Sequence, residues 1–293
     1  MSLVRLSDPA AAARWCAAAR AQGRRLGFVP SMGALHAGHL ALVAAAREDC
    51  DAVAASVFVN PLQFDDPRDL ERYPRDFDGD AAQLERVGCD LVFTGTLAGF
   101  FPEADGAPER IAWRDPGPAA QGLEGELRPG HFAGVATIVA RLFELVRPDV
   151  ACFGAKDFQQ TLVVRDLARA LGGPAIRVCP TVREPNGLAL SSRNARLSPA
   201  GRERAAGVYR ALCAARGAWR ARGLRDRGAL ESVLDGALRT ADLEVEYAAV
   251  RDPERWNERG DGPLERARAL AAVRLEGVRL IDNLSLDGGD DAP

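Results

Sequence analysis

Short apolar runs, each stopped by Pro, Asn, Gly or a charge, alternate with longer helix-forming segments from Leu26 to Val182, and this alternation leaves the chain few folds. The runs are Leu26 to Val29, Ala52 to Val59, Asp90 to Phe93, Val150 to Phe153 and Ile176 to Val182. Between them lie the helical segments Gly38 to Cys50, Asp80 to Val87, Gly134 to Val146 and Phe158 to Leu171. An earlier helix is expected after the N-cap signal Ser7-Asp8-Pro9, ending near Gly23. Near-continuous apolar strands joined by helices belong in a parallel sheet covered on both faces. Ligands of such sheets bind beyond the carboxyl ends of the strands.

After about residue 195 the pattern changes. An Arg- and Ala-rich helix is expected over Pro199 to Arg222, a second over Leu230 to Arg239, and short strands over Val245 to Val250 and Val278 to Ile281. This predicts a domain of residues 1–187 followed by a smaller α+β domain of residues 188–293, with a disordered Gly- and Asp-rich tail over 287–293.

Composition narrows the class. A chain of 293 residues that is 47% hydrophobic can bury a full core. Its net charge of -3, with both signs interspersed, offers no basic stripe for a nucleic-acid backbone. No stretch is apolar enough to span a membrane or act as a signal peptide. The six cysteines show no C-x-x-C pairing and sit in apolar runs such as Val150-Ala151-Cys152-Phe153, which reads as reduced core thiols of a cytoplasmic protein.

The rare residues fall in the loops that follow the strands. Of the 38 basic residues only Lys156 is lysine, a compact point charge where arginine serves everywhere else. His36 and His39 stand three apart around Gly38 at the start of a helix, so both imidazoles and the helix N-terminus can address one phosphate. Two competing readings are a zinc pair, for which no cysteine or carboxylate pattern supplies the other ligands, and incidental surface histidines. Leu190-Ser191-Ser192-Arg193-Asn194 combines two hydroxyls with a forked cation, and Arg128-Pro129-Gly130-His131-Phe132 adds the third histidine, which could equally cap the helix after it. Asn60, Gln63, Gln159 and Gln160 present neutral amides suited to hydroxyl and carboxylate recognition. Neither a P-loop nor a G-x-G-x-x-G turn is present, so a bound nucleotide would be held by histidines and the Ser-Arg segment.

Seven segments together resemble the pantothenate synthetase family, in order over nearly the whole chain. They are Pro30 to Leu40, Phe58 to Phe64, Arg72-Tyr73-Pro74-Arg75, Leu123 to Phe132, Phe153 to Gln160, Gly187 to Asn194 and Arg279-Leu280-Ile281-Asp282-Asn283. The resemblance implies a Rossmann-like nucleotidylyltransferase domain with a smaller C-terminal domain, a homodimer, and ATP- and Mg²⁺-dependent condensation of pantoate with β-alanine through a pantoyl-adenylate. Carried over by position, Met32, Gly33, Ala34, Leu35, His36, Ala37, Gly38 and His39 would line the ATP site with Gly154, Ala155, Lys156 and Asp157. Val182 would lie near adenine, and Leu190, Ser191, Ser192 and Arg193 around the phosphates. His39 matches a proton donor, and His36, Lys156, Ser191, Ser192 and Arg193 complete the catalytic set. Gln63 would contact pantoate and β-alanine, Gln160 would hold pantoate, and Asn60, Arg128 and His131 would complete the substrate side. Asp80, with Gln83, is a candidate protein contact for the metal.

Four departures from the family pattern stand out: Ala155 where Glu is common, Asn186 where Asp usually precedes Gly187, the loop Asp65-Asp66-Pro67-Arg68 after Gln63-Phe64, and an atypical Phe101 to Trp113. Two other readings stay open at the level of sequence. One is a different histidine-motif nucleotidylyltransferase acting on a phosphorylated acceptor; the other is a non-catalytic nucleotide sensor.

Overall fold

The computed structural model describes residues 2–258 and 262–288. In chain order its first elements are β1 (Val4–Leu6), α1 (Pro9–Ala21), β2 (Leu26–Ser31), α2 (Ala37–Asp49), β3 (Ala52–Val57), α3 (Pro67–Arg72), α4 (Phe77–Arg86), β4 (Leu91–Phe93), α5 (Leu97–Phe100), α6 (Glu124–Leu127), α7 (His131–Val146), β5 (Val150–Gly154), α8 (Phe158–Leu171) and β6 (Ala175–Cys179). There follow α9 (Pro199–Ala205), α10 (Gly207–Arg222), α11 (Arg227–Thr240), β7 (Glu244–Arg251), β8 (Arg268–Leu275) and β9 (Val278–Ser285). Two compact units result. The first holds the residues up to Gly154 together with Gln159–Cys179; the second holds Ala155–Phe158 and the residues from Pro180 onward.

Among the described residues the first unit has a six-stranded sheet in the order β1-β4-β3-β2-β5-β6, with every pairing parallel. All six positions of β3 are buried, as a strand covered on both faces requires. Val29, Val53, Ala55 and Val92 pack with Val43 and Ala46 of α2 and Ala81 and Leu84 of α4, while α1 and α7 lie against each other and against β2. Phe28 and Phe93 are fully buried, each burial stabilising the unit by about 1.5–3 kcal/mol. The strand order reverses direction at β2. There β2 stays paired with β3 as far as Ser31 but leaves β5 after Phe28. Pro30, which has no N–H to give, stands in the stretch that β5 does not pair.

The second unit is α+β. Its sheet runs β7-β8-β9, all antiparallel, and α10 and α11 bury Leu212, Trp219, Leu230, Leu234 and Leu238 in one cluster with Val250, Val273 and Leu284 of the strands.

Several expected boundaries moved. The last parallel strand ends at Cys179 instead of Val182, because Pro180 cannot donate to a ladder and the chain turns into a hairpin in which Leu190 N–H bonds to Val182 O and Arg183 bridges Ala189. The second compact unit takes up the chain at Pro180. The helix expected over Pro199 to Arg222 is two, α9 and α10, parted at Ala206. Strands β1 and β8 and helix α3 were not anticipated. Of the tail expected to be disordered, residues 289–293 lie outside the described residues.

Candidate active site

The first loop is the turn from β2 into α2. Gly33 and Ala34 both have positive φ, +87° and +52°, and a Cβ on Gly33 would come within 2.8 Å of Asp80 Oδ2. Asp80 projects from α4, is 2% exposed, and accepts from Ala34 N–H at 3.0 Å and Leu35 N–H at 2.9 Å. Burial pushes its carboxyl above the ordinary aspartate value, opposed by those two bonds.

The histidines then cap the helix they begin. His36 is the N-cap of α2: its Nδ1 accepts from Gly38 N–H at 3.2 Å, while His39 Nδ1 accepts from His36 N–H at 3.3 Å. This is the reciprocal geometry of a capping box, built from imidazoles. A ring nitrogen that accepts carries no proton, so each neutral ring holds its proton on Nε2. The ring centroids are 4.1 Å apart. Two Nε2–H donors thus stand at a helix N-terminus, an arrangement suited to phosphate oxygens.

A second loop follows β3. Asn60 is 1% exposed; its Nδ2 donates to Gln63 Oε1 at 2.9 Å and Gly134 O at 3.2 Å, and its Oδ1 accepts from Leu62 N–H at 3.2 Å. His131 Nδ1–H donates to Gln63 O at 2.8 Å, and Arg128 donates to the same carbonyl at 3.3 Å and to His131 Nε2 at 3.2 Å. Asn60, Arg128 and His131 therefore converge on Gln63. With Oε1 engaged, the Nε2 amino group is the part of Gln63 able to address a ligand oxygen. Gly134 makes this packing possible, since a Cβ there would lie 2.1 Å from Leu62 O.

The two neighbouring glutamines of α8 differ. Gln159 is 3% exposed and wholly engaged: Oε1 accepts from Glu124 N–H at 3.1 Å, and Nε2 donates to the carbonyls of Ala119, Gln121 and Gly122. Gln160 is half-buried.

In the second unit, Lys156 lies in the short turn Ala155–Asp157 and is half-buried, with Nζ 3.7 Å from Asp157 Oδ1. Ser191 caps the turn Ser192–Arg196 by accepting from Arg193 N–H at 3.3 Å. Asn194 fixes that turn from within, donating to Ala189 O at 3.0 Å. Val182 and Leu190 are joined across the hairpin by the Leu190 N–H bond to Val182 O at 3.0 Å.

A family model described as Pantoate-beta-alanine ligase matches residues 5–285. A pantothenate synthetase of Rubrobacter xylanophilus is 48% identical over 280 residues, covering 93% of this chain and 94% of its own. The chain belongs to the pantoate-β-alanine ligase family. Solved structures similar to this ligase include a pantothenate synthetase from Thermus thermophilus, with a TM-score of 0.85 at 43% identity over 98% of this chain and 99% of that one. A pantoate-beta-alanine ligase from Francisella tularensis, complexed with beta-gamma ATP and β-alanine, has a TM-score of 0.80 at 29% identity over 98% and 99% of the two chains.

Two departures of this ligase from the family pattern have simple local consequences. Asn186 Oδ1 accepts from Leu188 N–H at 3.1 Å, a bond that an Asp would also accept. Ala155 is 3% exposed and its carbonyl is the part of the residue that is engaged. Sequence reasoning missed the duties of Asp80 and Gln159, and it gave no role to Arg183, Asp282 or Asn283. Their signal was available only as polarity inside apolar elements, as in Leu280-Ile281-Asp282-Asn283-Leu284.

Among the described residues no three His, Cys, Asp or Glu side chains stand together as a metal-holding group. Asp80 directs both oxygens to backbone N–H groups and so braces the turn before the histidines.

Proposed function

We infer that this ligase condenses pantoate with β-alanine at the expense of ATP, through a pantoyl-adenylate, and releases AMP and pyrophosphate. The observation that carries the reading is the self-capped imidazole pair, whose Nε2–H groups are fixed as donors where a helix begins. In the first step a pantoate carboxylate oxygen forms a bond to the α-phosphorus as the bond to pyrophosphate breaks. Charge then grows on phosphate oxygens and on the leaving group.

His36 and His39 donate to phosphate oxygens, with His39 giving a proton, and Met32 to Ala37 and Gly38 form the turn on which the nucleotide rests. Lys156, Ser191, Ser192 and Arg193 meet phosphate charge, Gly154 to Asp157 and Leu190 line the nucleotide, and Val182 lies by adenine. Prepositioned donors of this kind contribute about 10²–10³ in rate each. Gln63, oriented by Asn60, Arg128 and His131, and Gln160 address the pantoate oxygens. In the second step the β-alanine amine attacks the carbonyl carbon of the mixed anhydride, AMP departs, and the amine loses a proton. We assign Mg²⁺ to the nucleotide as the counter-ion with which ATP arrives. Asp80 is assigned the role of positioning the turn.

We extend the reading to residues 1–187 as the ATP- and pantoate-binding domain and to 188–293 as a lid, in a cytoplasmic homodimer. All six cysteines are free thiols, as suits a reducing compartment. The deciding experiment measures AMP from ATP and pantoate with and without β-alanine, with light scattering for the oligomer. AMP released only when both acids are supplied is the expected result. Release with a phosphorylated acceptor instead, or ATP binding with no turnover, overturns the reading.

A further inference from the structure

Strand β9 carries two adjacent buried polar residues at its middle, Asp282 at 5% exposure and Asn283 at 4%. Successive strand residues point to opposite faces, and a buried polar group without partners is costly, so each must be matched. Both are. Asn283 Nδ2 donates one N–H to Ala155 O at 2.9 Å and the other to Lys156 O at 2.8 Å, and its Oδ1 accepts from Arg268 Nη1 at 2.6 Å. Arg268 in turn lies 4.1 Å from the ring centroid of Phe158, the residue that ends the same short segment. Asp282 Oδ1 accepts from Asn283 N–H at 2.8 Å and from Arg183 Nη2 at 3.0 Å. Arg183 also donates to Gly187 O at 3.2 Å and covers the Tyr209 ring at 4.2 Å, which fixes the hairpin that runs into Ser191.

The carbonyls of Ala155 and Lys156 belong to the two peptide groups on either side of the Lys156 Cα. Holding both planes fixes the two soft dihedrals of that residue, and with them the direction in which the side chain leaves the backbone. We propose that Asn283 is a positioning residue for Lys156, and that Asp282, acting through Arg183, does the same for the segment Ser191–Arg193. The proposal rests on the reading that Lys156 meets phosphate charge. A four-carbon stem can reach many places, so the reaction depends on where its base is held, and misplacement by about 1 Å costs on the order of 10²-fold in rate.

Lys156 is the only lysine of the chain, so protein grown on lysine carrying ¹⁵N at Nζ has a single side-chain ammonium resonance. Asn283→Ala removes the anchor. Asn283→Asp keeps the shape and the acceptor for Arg268 but sets an oxygen against the two carbonyls, and it carries the test if the alanine variant does not fold. The expected result is a displaced Nζ resonance, together with at least about a tenfold fall in the rate of ATP–pyrophosphate exchange with pantoate. In a Lys156→Ala background the same substitution should cost less than about twofold, because its effect passes through the lysine.

A purely structural bond would lower the melting temperature while leaving the resonance in place and costing the same in both backgrounds, and that outcome overturns the proposal. If the wild-type protein itself shows no pantoate-dependent exchange, the functional reading fails. The resonance comparison then still decides whether Asn283 holds the lysine.

Discussion

The histidine turn and the lysine turn are held by opposite means. His36 and His39 cap one another's backbone within four residues, with one carboxylate from α4 bracing the approach. Lys156 is held through its backbone by an amide 127 positions later in the chain. Local holding makes a motif self-sufficient, so that its geometry needs little beyond its own residues and one neighbour. Remote holding ties geometry to the integrity of a second sheet. The two designs should fail differently.

The largest effect is expected at the lysine itself. Lys156→Ala should lower the rate of adenylate formation by about 10²–10³ while the melting temperature stays near that of the wild type, read by pyrophosphate exchange and calorimetry. Lys156→Arg should rescue little, because a planar fork does not replace a point charge; near-wild-type turnover by that variant would break the contrast at its first term. Next comes Gly134→Ala in the first unit. Its Cβ would meet Leu62 O at 2.1 Å and Gln63 N at 2.8 Å, backbone atoms that must move, so we expect a loss of about 3 kcal/mol in urea unfolding and a raised KM for pantoate.

Asp80→Asn follows. The amide keeps one acceptor and turns the other into a donor facing an N–H, at a cost of about 1–3 kcal/mol. If the histidine turn is as self-sufficient as its caps indicate, kcat should fall less than in Lys156→Ala; an equal fall would make the carboxylate the true holder of the turn.

The smallest effect concerns pH and the second unit. Glu276 accepts from Ser198 N–H at 2.8 Å and from Ser198 Oγ–H at 2.7 Å, beside the start of α9, and these bonds hold its carboxyl below the ordinary glutamate value. A folded-state value below the unfolded one means that the stabilisation is complete above the ordinary glutamate range and disappears as pH falls through the folded-state value. Urea midpoints measured across the acid limb should therefore decline less steeply in Glu276→Gln than in the wild type. Parallel curves would remove Glu276 from the acid response.

The same contrast explains what could be read in the sequence. Strands β2 to β6 were legible as apolar runs with breakers, and so was the helix that starts at the histidines, because their determinants are local. β1 has three residues, too few to show a period, and β8, Arg268–Leu275, is Ala-rich enough to suit a helix equally well. At the site, His36, His39, Lys156 and Gln63 stood out as rare or amide residues after strands. Asp80 and Asp282 were opaque because their partners lie 46 and 99 positions away, where no spacing rule reaches. Gln159 and Gln160 are chemically identical neighbours, and only the fold separates the one consumed by the Ala119 to Glu124 backbone from the one that is not.

The interleaving of the two units also bears on how the protein comes into being. A chain emerging from the ribosome delivers both histidines, their helix and the strand beneath them early, and these can settle as soon as their neighbours have appeared. Lys156 emerges next to β5, well before Asn283, whose amide binds its carbonyl from 127 positions later. Any interrupted or truncated product that stops short of β9 thus carries a complete histidine turn and a lysine without its anchor. The lysine turn thus depends on a strand translated long after it.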